Sequence, residues 1–263
     1  MNKMITKTLL ASAVAAVCAF SANIASAQTV FQDFTVNPIG SSANFVADKM
    51  TGNYNEIATF ADGKFTANLY WTAAAFVADD GKTQLRAADT GLNSQYGIYA
   101  LYSADGTYTT ANGRTDFVFT PGTGNLSVFL DRNNNTGFTA GDTEYTRSNE
   151  GDDVLLATGN PLSGNGYIDP NNSQCGSGIF CGAFGSTTSF NLNQDGSNFF
   201  IAPSPFYQLS FQSGQVNNFT PSGRQVINGS LDVSFNDVPE PASVALLGLG
   251  LFGLALSRRR KQA

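Results

Sequence analysis

Ile227-Asn228-Gly229-Ser230-Leu231-Asp232-Val233-Ser234-Phe235-Asn236 is the stretch that decides the fold. Ile227, Gly229, Leu231, Val233 and Phe235 fall on one face, and the polar residues between them fall on the other. That period of two belongs to a strand with one face against a core. The same alternation recurs in Phe65, Ala67, Leu69 and Trp71, in Leu126, Val128 and Leu130, and in Tyr207, Leu209 and Phe211. Gly, Asn, Asp, Pro and Ser separate these runs, as turns do in antiparallel sheets. No amphipathic helical pattern stands between Gln28 and Val238. The sequence therefore predicts an all-β domain over residues 28–237, built as a β-sandwich or jelly roll. Its 21 phenylalanines predict a core of rings rather than of Leu and Ile.

The flanking segments read differently. Lys3 and Lys7, the apolar run from Leu9 to Phe20, and Ala25-Ser26-Ala27 follow the three-part order of a secretory signal over residues 1–27, with a mature start at Gln28. At the other end, Val238-Pro239-Glu240-Pro241-Ala242 precede an apolar run from Val244 to Leu256 and a basic cluster of Arg258, Arg259, Arg260 and Lys261. The two prolines deny the strip helix or sheet continuation. The apolar run is shorter than the roughly 18 to 20 residues that span a bilayer comfortably, and its glycines weaken a helix, so it suits transient insertion in the inner membrane. The basic cluster stays cytoplasmic. This ending over residues 238–263 resembles the PEP-CTERM sorting signal. The resemblance implies an exosortase-type enzyme as partner, cutting near the proline-glutamate-proline strip, and a final location at the cell surface, outer envelope or extracellular matrix.

Charge and composition narrow the function. All twenty acidic residues lie between positions 28 and 240, while six of the fourteen basic ones lie outside that span, leaving the middle near −12. Such a field disfavours nucleic acid and anionic lipid and favours divalent cations or neutral sugars. Histidine is absent, which removes the usual general base and the usual metal ligand. With Cys18 in the signal segment, Cys175 and Cys181 remain, and in an oxidising compartment they pair as a local clip on a glycine-rich loop. The Gly-, Asn- and Ser-rich stretch from Gly159 to Phe190 reads as a long surface loop.

One constellation suggests a ligand. Asp131, Asn133, Asn135, Gly137, Thr139 and Asp142 place oxygen ligands at the spacing by which a calcium loop wraps a hard cation. Thr136 stands where an EF-hand has glycine, and Asp142 where it has glutamate. The competing reading is an ordinary Asn-Gly hairpin loop. The pairs Asp79-Asp80 and Asp152-Asp153 read as solvated turn charges, because neighbours on a strand point to opposite faces. Tyr96, Tyr99 and Tyr102, or Phe206 and Tyr207, are candidates for stacking on sugar rings, against packing in the core.

Short segments spread along the middle carry a second resemblance. Phe31 to Val36, Phe45 to Gly52, Tyr96 to Leu101, Asp152 to Ala157, Asn198 to Tyr207 with its Ala202-Pro203-Ser204-Pro205 turn, and Ile227 to Asp232 together resemble the flocculation-associated PEP-CTERM proteins. The resemblance implies a role in floc or biofilm formation through exopolysaccharide and supplies no catalytic motif. The sequence thus points to an exported, non-enzymatic matrix protein. The alternatives are a calcium-assisted carbohydrate-binding module and, behind it, a polysaccharide-active enzyme that works with carboxylates alone. Intact-mass measurement of the extracellular protein should give a chain starting at Gln28 and ending between Pro239 and Ala242. A form that keeps Arg258 to Lys261 contradicts the second cleavage.

Overall fold

The structure, a computed structural model, describes residues 31–40, 43–176 and 180–237. The secretory segment, and the sorting strip from Val238 with its apolar run and basic tail, lie outside the described residues. Two short strands, β1 (Phe34–Val36) and β2 (Phe45–Ala47), come first. Three more follow: β3 (Lys49–Ala61), β4 (Lys64–Ala78) and β5 (Thr83–Gln84). A short helix, α1 (Ala87–Thr90), then leads into β6 (Gly97–Ala111), β7 (Arg114–Phe119) and β8 (Leu126–Asp131). The ribbon β9 (Gly137–Ala140) and β10 (Tyr145–Ser148) precedes a 3-10 turn (Glu150–Asp152), β11 (Asp153–Gly159) and β12 (Pro161–Ile168). The last part holds a 3-10 turn (Ser173–Cys175), β13 (Gly182–Ser189), β14 (Asn191–Leu192), α2 (Gln194–Phe199), β15 (Phe200–Ala202), β16 (Leu209–Val216) and β17 (Gly223–Asn236).

Local chemistry sets the longest hairpins. Asp62-Gly63 between β3 and β4, and Asn112-Gly113 between β6 and β7, all have positive φ. Paired positive φ at an Asp-Gly or Asn-Gly dipeptide gives the tight turn whose twist matches the flanking strands. The alternation predicted for β17 holds, with Ile227, Leu231 and Phe235 buried, as are Phe65, Ala67, Leu69 and Trp71 on β4.

The expected all-antiparallel strands are present, but they do not divide into the two sheets of a sandwich or jelly roll. β6 pairs along one edge with β4, and along the other with β8 and then β7. The order β3-β4-β6-β7-β12-β13-β16-β17 returns to β3 through the β17–β3 ladder, so eight strands close into a ring. The physical reason is length. β6 is long enough to serve β8 and β7 in succession on one edge while β4 occupies the other, and closure removes both free edges. β8, β11 and β14 continue as a flap beyond the ring. The region read as a long loop from Gly159 to Phe190 is largely strand, since it contains β12 and β13, both members of the ring.

Aromatic rings fill the two ends of this barrel. Phe60, Phe65, Phe117 and Phe219 pack together at the β3–β4 turn. Phe34, Phe200, Phe206 and Phe235 pack at the opposite end, under the small sheet β15-β1-β2. Between them the wall makes room for large side chains by placing glycine opposite them. A Cβ on Gly52 would stand 2.4 Å from the Trp71 ring nitrogen, and one on Gly229 would stand 2.8 Å from the Tyr54 ring. The Cys175–Cys181 disulfide is formed, and both residues are buried against the start of β13.

Among the polar inward positions, which include Ser186, Ser210 and Gln212, one carries an acid. Glu56 pairs with Ile227 on one side and Leu69 on the other, and Leu69 pairs with Tyr102. All three neighbours are buried. Glu56 therefore projects into the barrel, and the surface it still exposes faces an internal cavity rather than bulk water. Burial pushes its carboxyl up from 4.5 to about 7. A carboxyl that titrates higher when folded stabilises the fold fully below its unfolded value, and that contribution is lost as pH rises through the folded value. Stability should fall by about 3 kcal/mol between pH 4.5 and about 7 from this group alone. Urea unfolding of Glu56→Gln should lose that slope, leaving the variant more stable than wild type above neutrality; a wild-type slope retained in the variant would place the titration elsewhere.

Candidate metal centre

Asp131 ends β8, and its backbone pairs with Gly97 of β6 and with Asp153 of β11. Two carboxylates directly opposite one another across a ladder repel. Asp152, the last residue of the preceding 3-10 turn, brings a third, and one oxygen from each of Asp131, Asp152 and Asp153 lies within 4.8 Å of the others.

Loop groups hold these carboxylates in place. The Thr136 amide donates to Asp131 Oδ2 at 2.8 Å, and the Asn133 amide to Asp152 Oδ2 at 2.8 Å. Thr136 Oγ1 donates to Asp153 Oδ1 at 2.8 Å, and the Tyr99 hydroxyl donates to Asp153 Oδ2. Burial, then this bond to Asp153, push the Tyr99 phenol well above its ordinary value, while Arg147 pulls the other way. The Arg147 guanidinium lies over Phe129 and pairs with Glu150 at 2.6 Å, reaching Asp153 only at 3.8 Å. One guanidinium shared between Glu150 and Asp153 does not neutralise the three aspartates. Asp131 is 4% exposed, and its Oδ1 is buried without a hydrogen-bond partner among the described residues. A buried carboxylate oxygen left unpaired is costly. Together with two neighbouring carboxylates it forms the donor set of a hard divalent cation, for which calcium accepts the looser geometry.

The structure redistributes the residues expected from spacing. Asp131 belongs to the cluster. Asn133 contributes its backbone amide to Asp152, and the Asn135 carbonyl accepts from Asn149 Nδ2 at 3.1 Å. Gly137 opens β9 opposite Ser148. Asp142 is carried to the far end of the β9–β10 ribbon, where its carbonyl accepts from Arg224 Nε at 2.8 Å. The closing carboxylates are thus Asp152 and Asp153, not Asp142. The pair Asp152-Asp153, expected to be turn charges on opposite strand faces, differs from that expectation because only Asp153 is in the strand. Asp152 belongs to the 3-10 turn, so strict alternation does not separate them. Asp79 and Asp80 do sit in a turn, both at positive φ. Tyr96, Tyr99, Tyr102 and Tyr207 are buried and offer no external platform for a sugar.

The architecture is therefore a closed antiparallel barrel with a three-aspartate cluster, a candidate cation site, at the base of a surface ribbon. Beyond it, residues 237–261 match the PEP-CTERM protein-sorting motif. The chain thus carries the recognition signal for exosortase, which marks it as an exported protein sorted toward the cell surface. No curated protein and no solved structure matches the chain. Among the described residues no helix is long and apolar enough to cross a membrane, and the Val244 to Leu256 run lies outside them.

Calcium should raise the melting temperature of the protein at millimolar concentration, the affinity range of roughly 10⁻⁴ to 10⁻³ M found in extracellular modules. At tenfold excess over the dissociation constant the gain should be about 1 to 2 kcal/mol. Asp131→Asn with Asp153→Asn should abolish the rise while stabilising the calcium-free protein, and Asp142→Ala should leave it intact. Equal rises in wild type and the double variant would place any calcium elsewhere.

Proposed function

We propose that this is a non-enzymatic protein of the bacterial surface or extracellular matrix, which promotes flocculation and biofilm formation by associating with exopolysaccharide. The observation that carries the reading is the sorting motif at residues 237–261, which begins directly after β17. Two further features support it. A domain charge near −12 keeps the protein soluble outside the cell and suits it to a matrix rich in divalent cations. Of the short segments resembling flocculation-associated proteins, Tyr96 to Leu101 and Ile227 to Asp232 fall on the barrel wall, Asp152 to Ala157 starts in the Asp131 cluster, and Phe31 to Val36 and Asn198 to Tyr207 fall on the small sheet.

The calcium-assisted carbohydrate-binding reading is the second, favoured by the same cluster. Calcium bound by three aspartates keeps coordination positions for sugar hydroxyls or for a uronate carboxylate. A hydrolytic role is the weaker fit. The carboxylates are held by the Thr136 and Asn133 amides and the Thr136 and Tyr99 hydroxyls, an arrangement that fixes acceptors around a cation rather than freeing an acid and a nucleophile.

Deleting the gene should abolish flocculation and release polysaccharide into the medium, and the wild-type gene should restore both. A copy with Pro239 and Pro241 replaced by alanine should fail to restore them. Unchanged flocculation in the deletion strain, with polysaccharide still held on the cells, overturns the reading.

A further inference from the structure

The interior of the barrel contains a cavity of about 90 Å³ whose lining is almost wholly apolar, with Glu56 its single carboxylate. The register places Glu56 in one row with Leu69 and Tyr102, one step from the row of Tyr54 and Trp71. No side-chain hydrogen bond reaches the Glu56 carboxylate from the described residues, and no basic side chain lines the cavity. Three polar atoms on the neighbouring aromatic side chains are already committed. Tyr54 Oη donates to the Gln215 carbonyl at 3.1 Å, Trp71 Nε1 to the Leu231 carbonyl at 3.0 Å, and Tyr102 Oη is bonded to Ser186 Oγ at 3.1 Å.

We propose that the barrel interior is a binding site for one compact organic ammonium ion, held between the Glu56 carboxylate and the rings of Tyr54, Trp71 and Tyr102. Three considerations select that class. A buried lone carboxylate is destabilising until an opposite charge joins it. Aromatic faces around a carboxylate are the surroundings that attract a cation, with Trp the strongest of them. Gln212 Oε1 is a second acceptor on the cavity wall without a partner among the described residues, so the occupant has to bring hydrogen-bond donors, as an ammonium does. Size limits the ligand further. A cavity of about 150 Å³ holds benzene, so the smaller space here excludes a ring and admits a group of the size of trimethylammonium.

Trp71 is the only tryptophan in the chain and lines the cavity, so its fluorescence reports on occupancy. The secreted protein is titrated with trimethylammonium chloride at constant ionic strength, both in its native state and after refolding from urea with the probe present. A saturable fluorescence change and a raised melting temperature are expected, with affinity increasing as pH rises through neutrality and Glu56 ionises. Glu56→Gln, which keeps the shape, should weaken binding by about tenfold or more. Ala100→Val, which fills part of the space and keeps the carboxylate, should do the same. tert-Butanol, of similar size and without charge, should give no saturable change. Equal responses to tert-butanol and trimethylammonium, an unaltered response in Glu56→Gln, or no saturable response in either preparation would overturn the proposal.

Discussion

The pairing of Gly223–Val233 with Met50–Phe60 holds the molecule together, because it joins the last strand to the first long one. Without it the remaining ladders form an open sheet with two long edges and an uncovered face of rings. Open edges recruit other strands, and a curled sheet that fails to meet itself leaves its concave side wet. With the pairing made, every strand of the ring has two neighbours. The inward residues of β3, β4, β6 and β17 then face one another across a common interior, where buried area accumulates at roughly 25 cal/mol per Å².

That interior is filled by exchange of volume between neighbouring strands. Trp71 occupies space that Gly52 leaves, and Tyr54 occupies space that Gly229 leaves. A wall made only of medium-sized residues would fill evenly. A wall of rings and glycines fills at the rings and leaves a remainder where shapes do not mesh, and Glu56 stands at that remainder. The same packing explains why the phenylalanine clusters sit at the ends. The rings line both mouths with apolar surface, which raises the carboxylate's desolvation and strengthens its attraction to any cation that joins it.

Period-two alternation is local, so β4, β8 and β17 were legible residue by residue, and so was the Cys175–Cys181 clip. Ring closure was not, because it depends on which distant strands share the two edges of β6, and no short-range pattern encodes that choice. The three-aspartate cluster was half legible. Asp131 and its asparagine loop announce a ligand-type turn, but the closing carboxylates arrive after the β9–β10 ribbon, beyond the reach of a fixed spacing. A signal for Glu56 was present and unread. Met50, Gly52, Tyr54, Ala58 and Phe60 share its face, so a lone acid interrupts an otherwise apolar inward row.

β17 ends at Asn236, and the sorting motif starts at residue 237, so no spacer separates the barrel wall from the recognition strip. This adjacency orders events during export. In a chain exported from its N-terminus β3 emerges well before β17, so the longest-range ladder forms only after the residues beside the sorting motif have emerged. Contacts between chain ends fold slowly relative to local hairpins. The edges of the sheet therefore stay open until the residues beside the sorting motif arrive. The end of the chain that carries the sorting motif is thus also the end that withdraws the sheet edges from neighbouring molecules.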